Sequence, residues 1–182
     1  MPRLYTPSGL ICPLPLHITS VGRFSDQIDT QMFQVGPSWL SLPWAANNRA
    51  QYAPISVPSR FTVARFLVAN GGNATGNVDV GLYSITGNLL ISTGTTARSG
   101  TNVVQYIGVT DQSFPAGQYY LALVGSSTTG QYMATLNNSA FVRVCGWLQE
   151  NLGSTVLPTT MSPASNTNVN PFSFGFTQSD TL

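Results

Sequence analysis

Strict alternation of apolar and other side chains over Asn77–Tyr83 is the feature that most constrains this chain. An extended strand there would carry Val78, Val80 and Leu82 on one face and Asp79, Gly81 and Tyr83 on the other. Successive side chains of a β-strand point to opposite faces, so this pattern predicts a strand with one apolar face. The turn sequence Thr86-Gly87-Asn88 then leads into the apolar run Leu89–Ile91, which predicts a β-hairpin.

Short segments rich in Val, Ile, Tyr and Phe recur along residues 51–150, each bounded by Gly, Pro, Asn or Ser. No stretch of about ten residues keeps the apolar stripe of a helix. Strands at short, regular spacing are typical of a sandwich or barrel, so we predict an all-β, jelly-roll-like antiparallel β-sandwich of roughly eight strands. The predicted strands are Tyr52–Val57, Phe61–Ala69, Asn77–Ser84, Leu89–Thr93, Asn102–Val109, Gln118–Gly125, Tyr132–Leu136 and Phe141–Leu148.

Composition divides the chain into three parts. Residues 1–50 are rich in proline and aromatic residues and have no sustained period, which predicts an extended N-terminal arm. Residues 51–150 carry the strand pattern and form the predicted sandwich domain. Residues 151–182 are rich in Ser, Thr, Asn and Pro and are predicted to form a C-terminal tail.

Two predicted strands are apolar on both faces. In Phe61–Ala69, one face carries Phe61, Val63 and Leu67, and the other carries Ala64, Phe66 and Val68. Trp147 and Leu148 likewise fall on opposite faces of Phe141–Leu148. A sandwich strand needs to bury only one face, so something must cover the second. The chain's own arm and tail could cover it, and so could a neighbouring subunit; the sequence leaves both alternatives open.

Charged residues make up only 7% of the chain, against a typical value of about 25%. Lysine is absent, and the formal net charge is +1. A net charge near zero promotes association, which indicates a protein packed into an assembly. Without a basic run nothing attracts a phosphate backbone, so nucleic acid is not an expected partner. Prolines interrupt the N-terminal apolar stretch, which predicts neither a signal peptide nor a membrane span.

The residues that catalysis needs are sparse and scattered. His17 is the only histidine and has no acid or cysteine at ligand spacing, and the chain has no Gly-x-Ser-x-Gly elbow. Asp79 is predicted to point outward, and Asp111 to lie in a Thr-Asp-Gln-Ser turn. We therefore predict no catalytic, cofactor or metal site. Cys12 and Cys145 either pair as a disulfide or remain free, and the pattern favours two free, buried thiols.

Aromatic residues outside the predicted sandwich are the candidate assembly contacts. Trp39 and Trp44 flank Leu40-Ser41-Leu42-Pro43 in the predicted arm, and Phe172, Phe174 and Phe176 alternate in the predicted tail. Exposed aromatics on arms can anchor into a partner's pockets. The alternating phenylalanines predict a short strand that adds to a sheet edge, either of this chain or of a neighbour. Packing within the chain is the other interpretation of all five residues.

Three segments carry a family resemblance. Pro54–Phe66, Gly76–Tyr83 and Phe114–Leu123 resemble a β-sandwich module of tailed-bacteriophage virion proteins, and the similarity covers roughly residues 50 to 148. The resemblance implies a non-enzymatic structural protein at the virion surface, made in the host cytoplasm: a capsid decoration (cement) protein, a head fibre or part of a tail fibre. Such proteins are usually trimers. The matching motifs mark strands and turns, so they carry over no site residue.

Two functions follow as expectations. The first is a capsid decoration protein whose arm and tail grip other virion proteins, such as the major capsid protein, and adjacent subunits of a homotrimer. The alternative is a receptor- or glycan-binding module of a tail fibre or head fibre that binds host surface glycan through loops near Gly71–Thr75 or Thr128–Gln131. A small polysaccharide-degrading enzyme is a third hypothesis, and it lacks the acid pair that such chemistry needs.

Overall fold

A computed structural model describes residues 40–134, 146–165, 170 and 172–177. These residues form antiparallel strands, and none of them lies in a helix. The strands are β1 (Leu40–Pro43), β2 (Arg49–Val57), β3 (Phe61–Ala69), β4 (Asn77–Ser84), β5 (Leu89–Ser92), β6 (Thr96–Ala97), β7 (Val104–Phe114), β8 (Gly117–Gly125), β9 (Gln131–Ala134), β10 (Leu148–Asn151), β11 (Ala164–Ser165) and β12 (Phe174–Thr177). The predicted all-β class is confirmed.

Two layers make up the sandwich. The large sheet has the order β11-β10-β2-β8-β4-β5, with β6 paired to β4. The small sheet has the order β12-β3-β7. The pair β1-β9 extends the small sheet, because single bridges join Asn70 to Tyr132 and Ala134 to Phe172. With β1 and β9 counted in the small-sheet layer, the chain changes layer after β1, β2, β3, β6, β7, β8, β9 and β11, so neighbours in sequence often lie in opposite sheets.

The inner faces of both sheets share one apolar core. Val78, Val80 and Leu82 of β4 face it, as the alternation predicts. Phe61 connects the layers, with its ring centroid 5.4 Å from that of Tyr119 in the large sheet. Aromatic pairs at such separations add to the stabilisation that burial alone provides.

The outer face of the large sheet is also buried, and its cover comes from the same chain. Tyr52 and Tyr83 point away from the inner core, with ring centroids 5.5 Å apart in an edge-to-face arrangement. Leu157 packs against this cluster, together with the partly buried Leu152 and Met161. Of the two covers that the sequence leaves open, the chain's own C-terminal segment is therefore the one found over this sheet.

An irregularity in the small sheet shifts the pattern of burial along β3, and beyond it both faces of the strand are buried over residues 66–69. Val63 pairs with Gln112 but Arg65 pairs with Gly108, so three residues of β7 lie opposite Ala64. The least buried positions of β3 are Thr62 and Arg65, which are three residues apart rather than two. The alternation of more buried and less buried positions therefore shifts by one residue within the strand. A strict two-residue period, as assumed from the sequence, does not hold here.

Several strand limits differ from the predicted ones. The hairpin around Gly87 is confirmed, since Leu82 and Tyr83 pair antiparallel with Ile91 and Leu89. The predicted strand Asn102–Val109 begins later and ends later, as β7. Asn102 has a φ of 56°, a left-handed conformation that cannot start a strand. The turn predicted at Asp111 is wrong, because this residue lies within β7 at the irregularity.

The predicted arm and tail contribute strands where the structure describes them. β1 of the predicted arm pairs with β9, and β12 of the predicted tail pairs with β3. The alternating phenylalanines thus add a strand to a sheet edge of their own chain. Residues 1–39, including Trp39, lie outside the described part, as do residues 141–145 of the last predicted strand. In the described ranges we find no helix that could cross a membrane.

Candidate binding surfaces

Four of the five predicted assembly aromatics belong to the core. Trp44 is 2% exposed, and its ring centroid lies 4.5 Å from that of Phe172 and 4.8 Å from that of Tyr132. Phe172, Phe174 and Phe176 are between 1% and 3% exposed. The expectation that these four side chains are exposed is wrong, because bridging and strand pairing draw their segments into the sandwich. The assignment of Trp39 stays a prediction, since this residue lies outside the described ranges.

Asp79 is fully buried, which contradicts its predicted exposure. It does point away from the inner core, but the C-terminal segment covers it. Its Oδ2 accepts a 2.9 Å hydrogen bond from the Leu157 backbone N–H, and its Oδ1 lies 3.2 Å from the Thr93 hydroxyl. Burial raises the pKa of this carboxyl, and the donated hydrogen bonds oppose the rise. Asp79 therefore ties the C-terminal segment to the sheet.

Glu150 makes a second hydrogen-bonded connection between the C-terminal segment and the outer face of the large sheet. Its Oε2 accepts a 2.8 Å hydrogen bond from the Tyr52 hydroxyl and a 3.0 Å bond from the Ser162 backbone N–H. The Tyr83 hydroxyl donates to the Pro158 carbonyl at 2.7 Å. Burial raises the pKa of both tyrosines well above the usual range, so both stay protonated donors at neutral pH.

The loops 70–76 and 126–130, with Arg98 between them, form one end of the sandwich, called here the loop end. Backbone bonds join the first loop to Gln131, the residue of β9 that directly follows the second loop. The Gly71 N–H donates to the Gln131 carbonyl at 2.8 Å, and the Gln131 N–H donates to the Asn73 carbonyl at 2.7 Å. The Ser41 hydroxyl donates to the Gln131 side chain at 2.9 Å. The sequence indicated both loops, and the structure brings them together. Their predicted role in receptor binding stays a prediction.

Arg98 is the centre of the loop end and was not identified from the sequence. This buried side chain donates from Nε to the Asn70 Oδ1 at 3.0 Å and from Nη1 to the Thr75 carbonyl at 3.2 Å. It also donates to the Gln131 carbonyl. Its guanidinium lies 3.6 Å from the centre of the Tyr132 ring, a cation–π contact. All three acceptors are neutral amide oxygens.

The electrostatics of this cluster follow from burial. Desolvation lowers the pKa of Arg98 and raises that of Tyr132 to about 12, although the guanidinium opposes the second shift. Arginine keeps its charge at neutral pH even so. Gly130 lies against the cluster, and a Cβ added there would come 2.5 Å from the Thr75 carbonyl oxygen. The loop end is thus packed too tightly at this point for any side chain.

A second surface lies where the edge strands of the two sheets approach each other. β5 is the edge of the large sheet and β7 the edge of the small sheet. Between them is an open groove of about 870 Å³. The groove is lined by Ile91, Ser92, Thr93, Gly108, Val109, Thr110, Asp111 and Gln112.

The polar side chains on the β7 side of this groove have no partner within the part of the chain that the structure describes. Thr110, Asp111 and Gln112 are exposed, and their side chains make no hydrogen bond or ion pair to any described residue. Gly108 is exposed too, with no atom within 4 Å of a Cβ built on it. No sequence signal identified this groove, because its two walls are brought together only by the stacking of the sheets.

The described ranges contain no group of three or more His, Cys, Asp or Glu residues that could hold a metal ion. The residues His17, Cys12 and Cys145 lie outside those ranges, so the alternatives for the two thiols stay open. A scan against protein-family models and a search of curated proteins both find no match to this chain.

Proposed function

We propose that this chain is a non-enzymatic structural protein of a tailed-phage virion, a capsid decoration protein that binds the shell and adjacent subunits of a homotrimer. The observation that carries the proposal is that two buried ionisable side chains, Asp79 and Arg98, and the half-buried Glu150 are used to hold the fold together. Asp79 and Glu150 tie the C-terminal segment to the sheet, and Arg98 ties two loops together. Groups that hold the fold in this way are not free to act on a substrate.

Composition and resemblance add support. The chain carries 7% charged residues and a net charge of +1, which suits a protein packed against others. Three segments within residues 50 to 148 resemble phage virion β-sandwiches. The buried outer face of the large sheet also fits a stable body that carries a separate attachment segment.

The attachment segment is assigned to residues 1–39, not to all of residues 1–50. β1 and Trp44 lie inside the fold, so removing them would damage the sandwich. Trp39 is therefore the arm residue to test.

The experiment measures saturable binding of the full chain to phage heads that lack it, and to host cells, at low and high salt. The variants are a deletion of residues 1–39 and Trp39→Ala. We expect head binding to fall strongly while the melting temperature is kept. The control is Thr128→Val, a substitution at an exposed residue outside residues 1–39, and this variant should bind heads normally. If the protein that lacks residues 1–39 still binds heads normally, the proposal is contradicted.

The homotrimer has its own test. Sedimentation equilibrium at micromolar concentration should give three times the chain mass of 19.4 kDa. A monomer on the particle, measured by subunit counting after cross-linking, would count against it.

The groove supports a second candidate function, a receptor- or glycan-binding module of a tail fibre or head fibre. Its exposed Thr110, Asp111 and Gln112 side chains keep their hydrogen-bonding capacity for a ligand. Binding to host cells in the same experiment, with no binding to heads, would favour this function over decoration.

A further inference from the structure

We propose that the groove between β5 and β7 binds a neutral saccharide, such as a segment of a host surface glycan. The inference rests on the second candidate function and moves its site from the loop end to the groove. Four observations support it, namely the groove's size, its polar groups, its charge and the irregularity of β7.

Size comes first. Binding sites for small molecules commonly measure about 300–1,000 Å³, and the groove has about 870 Å³. It is open along the side of the sandwich, between the edges of the two sheets. An open groove suits a short segment within a longer glycan, because the chain can continue beyond both ends of the site.

The lining residues match the chemistry of a sugar ring. The Asp111 carboxylate accepts hydrogen bonds, and the Gln112 amide both donates and accepts them, so neighbouring hydroxyl groups of a sugar can be bound. Thr110 adds a hydroxyl. Ile91 and Val109 are partly buried and supply apolar surface for the C–H faces of the ring.

Charge indicates which sugars are preferred. Among the described residues that line the groove, Asp111 is the only charged one. A carboxylate there repels uronic and sialic acids, because two like charges at short range disfavour each other. Neutral saccharides are therefore the expected class.

The irregularity of β7 places these residues. Bulges redirect side chains and occur preferentially beside functional sites. Here Val109, Thr110 and Asp111 lie opposite the single residue Ala64, and they form the wall of the groove. At the loop end, by contrast, the Ser41 hydroxyl and the Gln131 amide oxygen already bond to each other.

The test uses the full-length chain on a microarray of bacterial oligosaccharides that includes neutral and acidic members. Titration calorimetry with the best neutral oligosaccharide then gives dissociation constants for Asp111→Ala, Gln112→Ala and Thr110→Val. We expect Asp111→Ala to bind at least ~10-fold more weakly, since a hydrogen bond to a charged group contributes roughly 1.5–3 kcal/mol. Asp111→Asn should bind acidic oligosaccharides better than the unchanged chain does.

The matched control is Thr128→Val at the loop end, which should keep the full affinity. Melting temperatures show that each variant is folded. Binding that Thr128→Val abolishes and the groove variants spare would overturn the groove as the site. So would a lack of binding to every oligosaccharide on the array. Host-cell adsorption separates the two failures: if adsorption persists in the groove variants, the receptor function stands without this site, and if the unchanged chain does not adsorb, the function itself fails.

Discussion

The loop end and the groove are both polar, exposed parts of the same sandwich, yet their side chains are used differently. At the loop end, the Arg98 side chain bonds to Asn70 and the Gln131 side chain to Ser41 of β1, and the cluster is close-packed around Gly130. In the groove, Asp111 and Gln112 have no partner among the described residues. Polar composition alone therefore does not identify a binding surface.

This difference predicts where a substitution should change the stability of the fold. A polar group that is bonded inside the fold contributes to stability, and its loss leaves unsatisfied partners. A polar group without a partner contributes little to stability and remains available to a ligand. Changes to the bonded or close-packed residues of the loop end should therefore lower stability, whereas changes in the groove should leave it unaltered.

Arg98→Met should give the largest effect. The change keeps much of the apolar stem but removes three hydrogen bonds. The Asn70 and Thr75 oxygens lose their donor, whereas the Gln131 carbonyl keeps the one from the Gly71 N–H. We expect a loss of about 3 kcal/mol in the free energy of unfolding, or roughly 6–12 °C in melting temperature. Urea denaturation measures it, with the exposed Arg60→Met as control. A loss below about 1 kcal/mol would show that the loops hold together without this side chain.

Two glycine substitutions test the same difference in packing between the loop end and the groove. Gly130→Ala places a methyl group against the Thr75 carbonyl and should cost about 1–3 kcal/mol. Gly108→Ala in the groove meets open space and should change stability by no more than about 0.5 kcal/mol. Thermal melts of the two variants, made side by side, measure the difference. Equal losses would contradict the distinction between the two surfaces.

Asp79 and Asp111 provide a comparison of a buried with an exposed carboxylate. Burial raises the folded-state pKa of Asp79 above its unfolded value of about 3.9. Folding therefore favours the protonated form, so this group's contribution to stability is fully present below the unfolded pKa and is lost as the pH rises through the folded pKa. We expect Asp79→Asn to remove this dependence, which is at most about 1.4 kcal/mol per pH unit.

Melting temperatures between about pH 4 and pH 8 measure this effect against the unchanged chain. Asp111→Asn is the control and should leave the Asp79-dependent part of the profile in place. If Asp79→Asn follows the pH profile of the unchanged chain, another group is responsible for the dependence.

The smallest effects are expected for Asp111→Asn and Gln112→Ala. Neither side chain has a partner in the described fold, so each change should alter stability by about 0.5 kcal/mol or less. Urea denaturation is again the measurement. A larger loss would mean that these side chains support the fold, which would weaken the case for a ligand site.

Local patterns predicted the strands well where the backbone was regular. The limits of β3 and β4 match the predicted segments Phe61–Ala69 and Asn77–Ser84, and Gly87 marks the predicted hairpin. These features depend on neighbours in sequence: alternation of side chains, and turn residues at the ends. The prediction failed at Asp111, because a turn-like sequence there continues as a strand with an irregularity.

Sequence reasoning did worse with residues whose partners are distant. Trp44 and the phenylalanines were candidates for contacts with a partner because they lie beyond the predicted sandwich, and packing within the chain was the other interpretation; they fill the core of their own chain. Arg98 follows Thr-Thr-Ala and precedes Ser-Gly, with nothing local to indicate burial. Its acceptors lie 23 to 33 residues away in the chain.

By itself, the sequence determined the all-β class, the hairpin at Gly87 and which face of β4 enters the core. Period and turn chemistry act over a few residues, so they can be read directly from the chain. Only the tertiary structure decided that the C-terminal segment covers the large sheet, that Asp79 is buried, and that β5 and β7 border a groove. Each of these depends on segments far apart in the chain, whose meeting is set by how the two sheets stack and not by any local pattern.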